Sequence, residues 1–125
     1  MSNYMHAYMT ISHLPEEKWN AVQRWIYEEH DGDLRYAFAD GYATHDGVLH
    51  FDGVNDVNWS ISINELIDLS REFPEALIEV DYSNGYIEDE SRDYFQNGKM
   101  ATYTPEVVWP EFNPNDLMEV VINAD

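Results

Sequence analysis

A chain of 125 residues suits one domain of the commonest size, long enough to bury roughly two-thirds of its unfolded surface. An apolar share of 44% and an aromatic share of 14% exclude a disordered polyelectrolyte, even with 25 acids against 6 bases and a formal net charge of −19. That charge excludes attraction to bare DNA, RNA or an anionic membrane, and the lack of cysteine excludes disulfides, thiolate metal sites and cysteine nucleophiles.

The first segment, MSNYMHAYMTISHLPEE, has neither the basic region nor the apolar core of a signal peptide, and no run approaches the length of a membrane span. The expectation is a cytoplasmic protein. Residues 4–12 predict a strand, with Met5, Ala7, Met9 and Ile11 on one face and Tyr4, His6, Tyr8 and Thr10 on the other. An amphipathic helix follows: Pro15 suits its first turn, Glu16 and Glu17 suit its positive end, and Gly32 suits its stop. Its apolar face holds Trp19, Val22 and Ile26, with Trp25 beside them.

Leu34 to Tyr42 and Val48 to Trp59 read as two strands around a turn at His45 to Gly47, with Gly53 as a bulge or break in the second. A second helix follows, with Ser62 and Glu65 spaced as a capping box, Ile63, Leu66, Ile67 and Phe73 on one face, and Pro74 after the stop. Residues 76–82 alternate as another strand. Turns are expected at Ser83-Asn84-Gly85 and at Asn97-Gly98, with MATYTPEVVW extended, residues 110–116 irregular, and LMEVVINA a final strand or short helix.

The predicted order is β-α-β-β-α-β with extra C-terminal β structure, in a single domain over 1–125. It matches an α+β, ferredoxin-like split βαβ sandwich, in which two helices pack on one face of an antiparallel sheet. Trp59-Ser60, Leu69-Ser70-Arg71-Glu72-Phe73-Pro74, Tyr82 and Gly98-Lys99 resemble the second half of the YubB-type ferredoxin-like domains of plasmid and phage proteins. The likeness covers residues 59–100 and departs at Tyr82-Ser83-Asn84-Gly85, where the family pattern has Tyr, any residue, Glu, Gly. It implies the fold and a mobile-element setting, and no catalytic residue.

His45, His50 and Asp52 offer two histidines and a carboxylate that one metal ion can use, set against a reading as surface histidines of a hairpin. An EF-hand loop counted from Asp81 fails, because its sixth and twelfth places hold Tyr86 and Arg92. No phosphate loop or nucleophile elbow is present, so no enzyme, metal or cofactor is expected.

The acids carry the functional expectation. Duplex DNA bears one charge per about 1.7 Å, so nineteen charges correspond to roughly 32 Å of duplex, close to the diameter of a chain this size; a face holding most of the charge matches duplex density, and a face holding half does not. Glu28, Glu29, Asp31 and Asp33 gather after the first helix, where the macrodipole disfavours them. Glu79 and Asp81 share a strand face, and Glu88, Asp89, Glu90 and Asp93 make an acidic run flanked by Tyr82, Tyr86 and Tyr94.

These residues predict a nucleic-acid-mimicking inhibitor of a basic nucleic-acid-binding defence protein, of anti-restriction or anti-CRISPR type. An immunity protein against a basic nuclease toxin is one alternative, and an acidic domain whose charge serves solubility is another. An open sheet edge makes a homodimer a further expectation.

Overall fold

The computed structural model describes residues 6–30, 32–38, 42–54, 59–83 and 90–120. The turn at Ser83-Asn84-Gly85 and Asp31, Tyr86, Glu88 and Asp89 fall wholly or partly outside them. Six strands form one antiparallel sheet: β1 (His6–Ser12), β2 (Tyr42–His45), β3 (Val48–Val54), β4 (Leu77–Ser83), β5 (Ser91–Gln96) and β6 (Lys99–Tyr103). Their spatial order is β2-β3-β1-β4-β5-β6, so the chain is an α+β protein with few helices and a six-stranded sheet. The first helical segment opens with a 3-10 turn at Glu16–Lys18, runs as α1 (Trp19–Arg24) and ends in a π turn at Trp25–Glu29. Helices α2 (Leu34–Ala37) and α3 (Trp59–Glu72) follow. Among the described residues, no helix is long and apolar enough to cross a membrane.

Alternation decides which sheet face is covered. Ala7, Met9 and Ile11 on β1 are buried with Leu49 and Phe51 on β3, Ile78 and Val80 on β4, and Phe95 on β5. Val22 and Ile26 of the first helical segment, Leu66 and Leu69 of α3, and Phe73 just after it pack onto them. Both two-residue hairpins form where the sequence places them. Asp46-Gly47 and Asn97-Gly98 have φ of 53°, 73°, 50° and 78°, the left-handed pair that matches strand twist.

Four expectations are corrected. Leu34 to Tyr42 is not one strand: Leu34 to Ala37 is helical and β2 begins at Tyr42. Leu34, Tyr36 and Phe38 alternate, but Leu34, Ala37 and Phe38 are also spaced i, i+3, i+4, and those three are buried while Tyr36 is exposed. Gly53 makes no bulge, since β1 and β3 pair continuously through Ala7 and Gly53. The glycine gives clearance instead: a Cβ there would lie 2.7 Å from the Ala37 carbonyl oxygen. Glu65 closes no capping box, because α3 begins at Trp59 and the Glu65 side chain turns to the loop before α2. Among the described residues past Tyr103, 104–120, there is no strand, and apart from a 3-10 turn at Pro114–Asp116 they are irregular; the end of LMEVVINA lies outside the described residues.

Candidate functional site: the open face of the sheet

The residues that alternate away from the helices lie on the uncovered face. Strand pairing aligns Asp52, Tyr8, Asp81, Arg92 and Tyr103 in one row across β3, β1, β4, β5 and β6. The next row runs His50, Thr10, Glu79, Tyr94 and Ala101. Neighbouring strands lie about 4.8 Å apart, so residues one row across interact directly.

Arg92 is the centre of this face. Its Nε and Nη2 donate to Asp81 Oδ1 and Oδ2 at 2.5 and 3.2 Å, a two-point grip, and Glu79 lies 3.7 Å away. The Asp81 hydrogen bonds, with Tyr94 and Glu79 nearby, raise the Arg92 pKa further above its ordinary value. Glu79 beside the Tyr94 hydroxyl raises that phenol's pKa in turn. Tyr94 also braces Tyr103 edge-to-face, with ring centroids 5.8 Å apart. At the other end of the row the Tyr8 hydroxyl meets His50 Nδ1 at 2.5 Å. Between the two tyrosines lies a cavity of about 440 Å³, lined by Tyr8, Asp81, Glu90, Arg92, Tyr103 and Pro105 among others.

The predicted acidic surface divides. Glu79, Asp81 and Glu90 come together at the open face. Glu28 and Glu29 sit in the last turn of the first helical segment, in the other layer. Asp33 is not part of that helix end: it precedes α2, and its backbone N–H donates to Glu65. Asp93 and Tyr82 are not part of an exposed acidic surface. Both are buried on the covered side, where the Tyr82 hydroxyl donates to Asp93 Oδ2. Burial first, and the carboxylate second, raise the Tyr82 phenol well above its ordinary range. Tyr94 stays on the open face, half-buried.

The histidine–aspartate set does not assemble. His45 and His50 rings stand 6.0 Å apart, but His50 Nδ1 is engaged by Tyr8 and His45 Nε2 lies 3.1 Å from Asp46. Among the described residues, no three His, Asp or Glu side chains converge as metal ligands.

Two features escape the sequence reading. Glu65 is buried and accepts from the Asp33 N–H at 2.6 Å, with His30 Nε2 at 2.7 Å and the Trp25 ring stacked on that imidazole at 4.3 Å. Its only sequence signal is an acid inside an apolar helical stripe. The second is the arm after β6. Val108, Trp109, Phe112, Leu117 and Met118 are all at least 69% exposed, interleaved with Glu106, Glu111, Asp116 and Glu119. The recurring apolar residues between Pro105, Pro110 and Pro114 were its signal.

Set against known proteins, the chain matches no family model, no curated protein and no solved structure.

Proposed function

We propose that this protein is an inhibitor whose acids stand in for nucleic-acid phosphates and occupy the basic groove of a nucleic-acid-binding protein. It performs no catalysis in this reading. One observation carries it: three of the six bases are already paired with the molecule's own acids. Lys18 pairs with Glu75 at 2.5 Å, Arg71 with Asp68 at 3.4 Å and Arg92 with Asp81 at 2.5 Å, half of the 6 bases in the chain. The excess acids therefore set the field on both layers and along the arm, and an approaching basic partner meets attraction from several sides. That placement favours a groove that clasps the molecule over a flat surface that meets one face.

The arm argues against charge kept only for solubility. Solubility needs acids, whereas Trp109, Phe112 and Met118 held in water cost free energy until a protein covers them. The tyrosines of the open face support the immunity-protein alternative as well, because phosphate imitation alone needs no aromatic anchors. Both readings require a basic protein partner.

The fold belongs to the same proposal. Strands β2-β3-β1-β4, with helical segments between β1 and β2 and between β3 and β4, have the order of a ferredoxin-like core, to which the β5–β6 hairpin is added. A ferredoxin-like core of YubB type supports a mobile-element setting, a cytoplasmic site of action and a target in host defence. Self-pairing at the outer edge of β2 or of β6 is the dimer this sheet would allow, opposed by the repulsion between two chains of charge −19.

The test is capture of basic proteins from source cells on the immobilised chain, followed by elution with duplex DNA or RNA. Release of a nucleic-acid-binding protein by nucleic acid is expected. Retention that nucleic acid leaves untouched, at any concentration, contradicts the groove reading and favours the immunity alternative.

A further inference from the structure

The cavity above the Asp81–Arg92 pair is built as a receptor. Three of its lining side chains are each held by a second residue. Tyr8 is fixed by His50, Tyr103 by Tyr94, and Arg92 by the two-point contact with Asp81. Tyr8 and Tyr103 stand three strand spacings apart in one row, about 14 Å between backbones, with the ion pair between them as a floor. The volume of about 440 Å³ falls in the range of small-molecule pockets, roughly 300–1,000 Å³.

The chemistry selects the occupant. A tyrosine ring at each end of the trough offers a quadrupole that attracts a cation. Glu90 lies in the lining, and Asp52 and Glu79 lie in or beside the same rows. Against these acids stands one base, Arg92, already gripped by Asp81. An anion would meet a net negative site and is rejected. A bare metal ion finds no converging ligands among the described residues. The acids and tyrosines together suit a cation with an apolar stem that the rings can cover.

We propose that this trough is a binding site for an organic cation, a guanidinium or ammonium group carried on an aliphatic stem. Such a group occurs free in small amines and as an arginine or lysine side chain of a protein. The inference goes beyond the inhibitor reading: it concerns one cavity and holds or fails whether or not a nucleic-acid groove is the target.

The experiment is a titration of the full chain followed by NMR at the Arg92 Nε–H and the Tyr8 and Tyr103 rings. The probes are N-acetyl-arginine amide, the peptide N-acetyl-Gly-Arg-Gly amide and the neutral N-acetyl-norleucine amide. Saturable shifts with both arginine probes and none with norleucine are expected. Tyr103→Ala weakens the arginine probes about tenfold, while Tyr103→Phe, which keeps the ring, binds as the parent does. Glu90→Gln weakens them too.

Equal affinity for the two arginine probes marks a site for the cationic group itself, and tighter binding of the peptide marks a site for a partner's side chain. Tyr103 is 59% exposed on an edge strand, so its loss leaves the core intact. Norleucine amide binding as well as arginine amide, or a folded Tyr103→Ala protein binding undiminished, overturns the proposal. So does a lack of shifts at saturating probe.

Discussion

The two faces of the one sheet are built from alternate residues of the same strands, and they obey different rules. The covered face carries Met9, Phe51, Ile78, Val80 and Phe95, all buried, and gains stability from apolar area removed from water. The open face carries Tyr8, Thr10, Asp52, Glu79, Asp81, Arg92 and Tyr94, and spends its side chains on mutual hydrogen bonds and charge pairs. Substitutions on the first face should therefore change folding, and substitutions on the second should change binding.

The largest effect tests the covered face. Phe51→Ala removes a fully buried ring and should cost about 3–5 kcal/mol, read as a lower midpoint in urea unfolding. A loss well under 1 kcal/mol would mean that the face is not packed as described.

Glu65→Ala comes next. It takes the acceptor from the Asp33 N–H and from His30, at a cost of about 1–3 kcal/mol. An unchanged midpoint would mean that the link between α3 and the loop before α2 is not made.

Alkaline pH sharpens the comparison through Tyr82. Its phenol is held above the ordinary value of 10.0 in the folded state. Below that value both states keep the proton and the stability is fully present. Above it the unfolded chain ionises first, so stability falls as pH rises toward the folded pKa. The unfolding midpoint of the parent protein should drop above pH 10.0, and that of Tyr82→Phe should drop less. Equal slopes would remove Tyr82 as the cause.

The smallest effect belongs to the open face. Thr10→Ala should move stability by no more than about 0.5 kcal/mol. A larger loss would show that the open face, too, holds the fold together.

Much of this division was legible in the sequence. Ala7, Met9 and Ile11 alternate so plainly that β1 and its inward face follow from periodicity alone. Asp46-Gly47 and Asn97-Gly98 announce their hairpins through the left-handed pair they accept. The Leu34 segment was ambiguous for a physical reason: four residues are too few to separate period 2 from period 3.6, and tertiary packing made the choice.

The site was harder to read, because charge does not report burial. Asp93 looks like its acidic neighbours, yet it lies opposite Val80 on the covered face and satisfies Tyr82. Asp81, with the same side chain, points the other way and holds Arg92. Glu28 and Glu79 look alike in sequence and end in different layers. The cavity between Tyr8 and Tyr103 joins positions far apart in the chain, and only the strand order brings them into one row.

The central claim is that the protein binds a basic partner through its surplus of acids, in competition with nucleic acid. The most direct measurement is the dissociation constant for the captured partner across a range of sodium chloride concentrations, with and without duplex DNA. The account predicts affinity that falls steeply with salt and is lost as DNA fills the partner's groove. Affinity indifferent to both salt and DNA would contradict it.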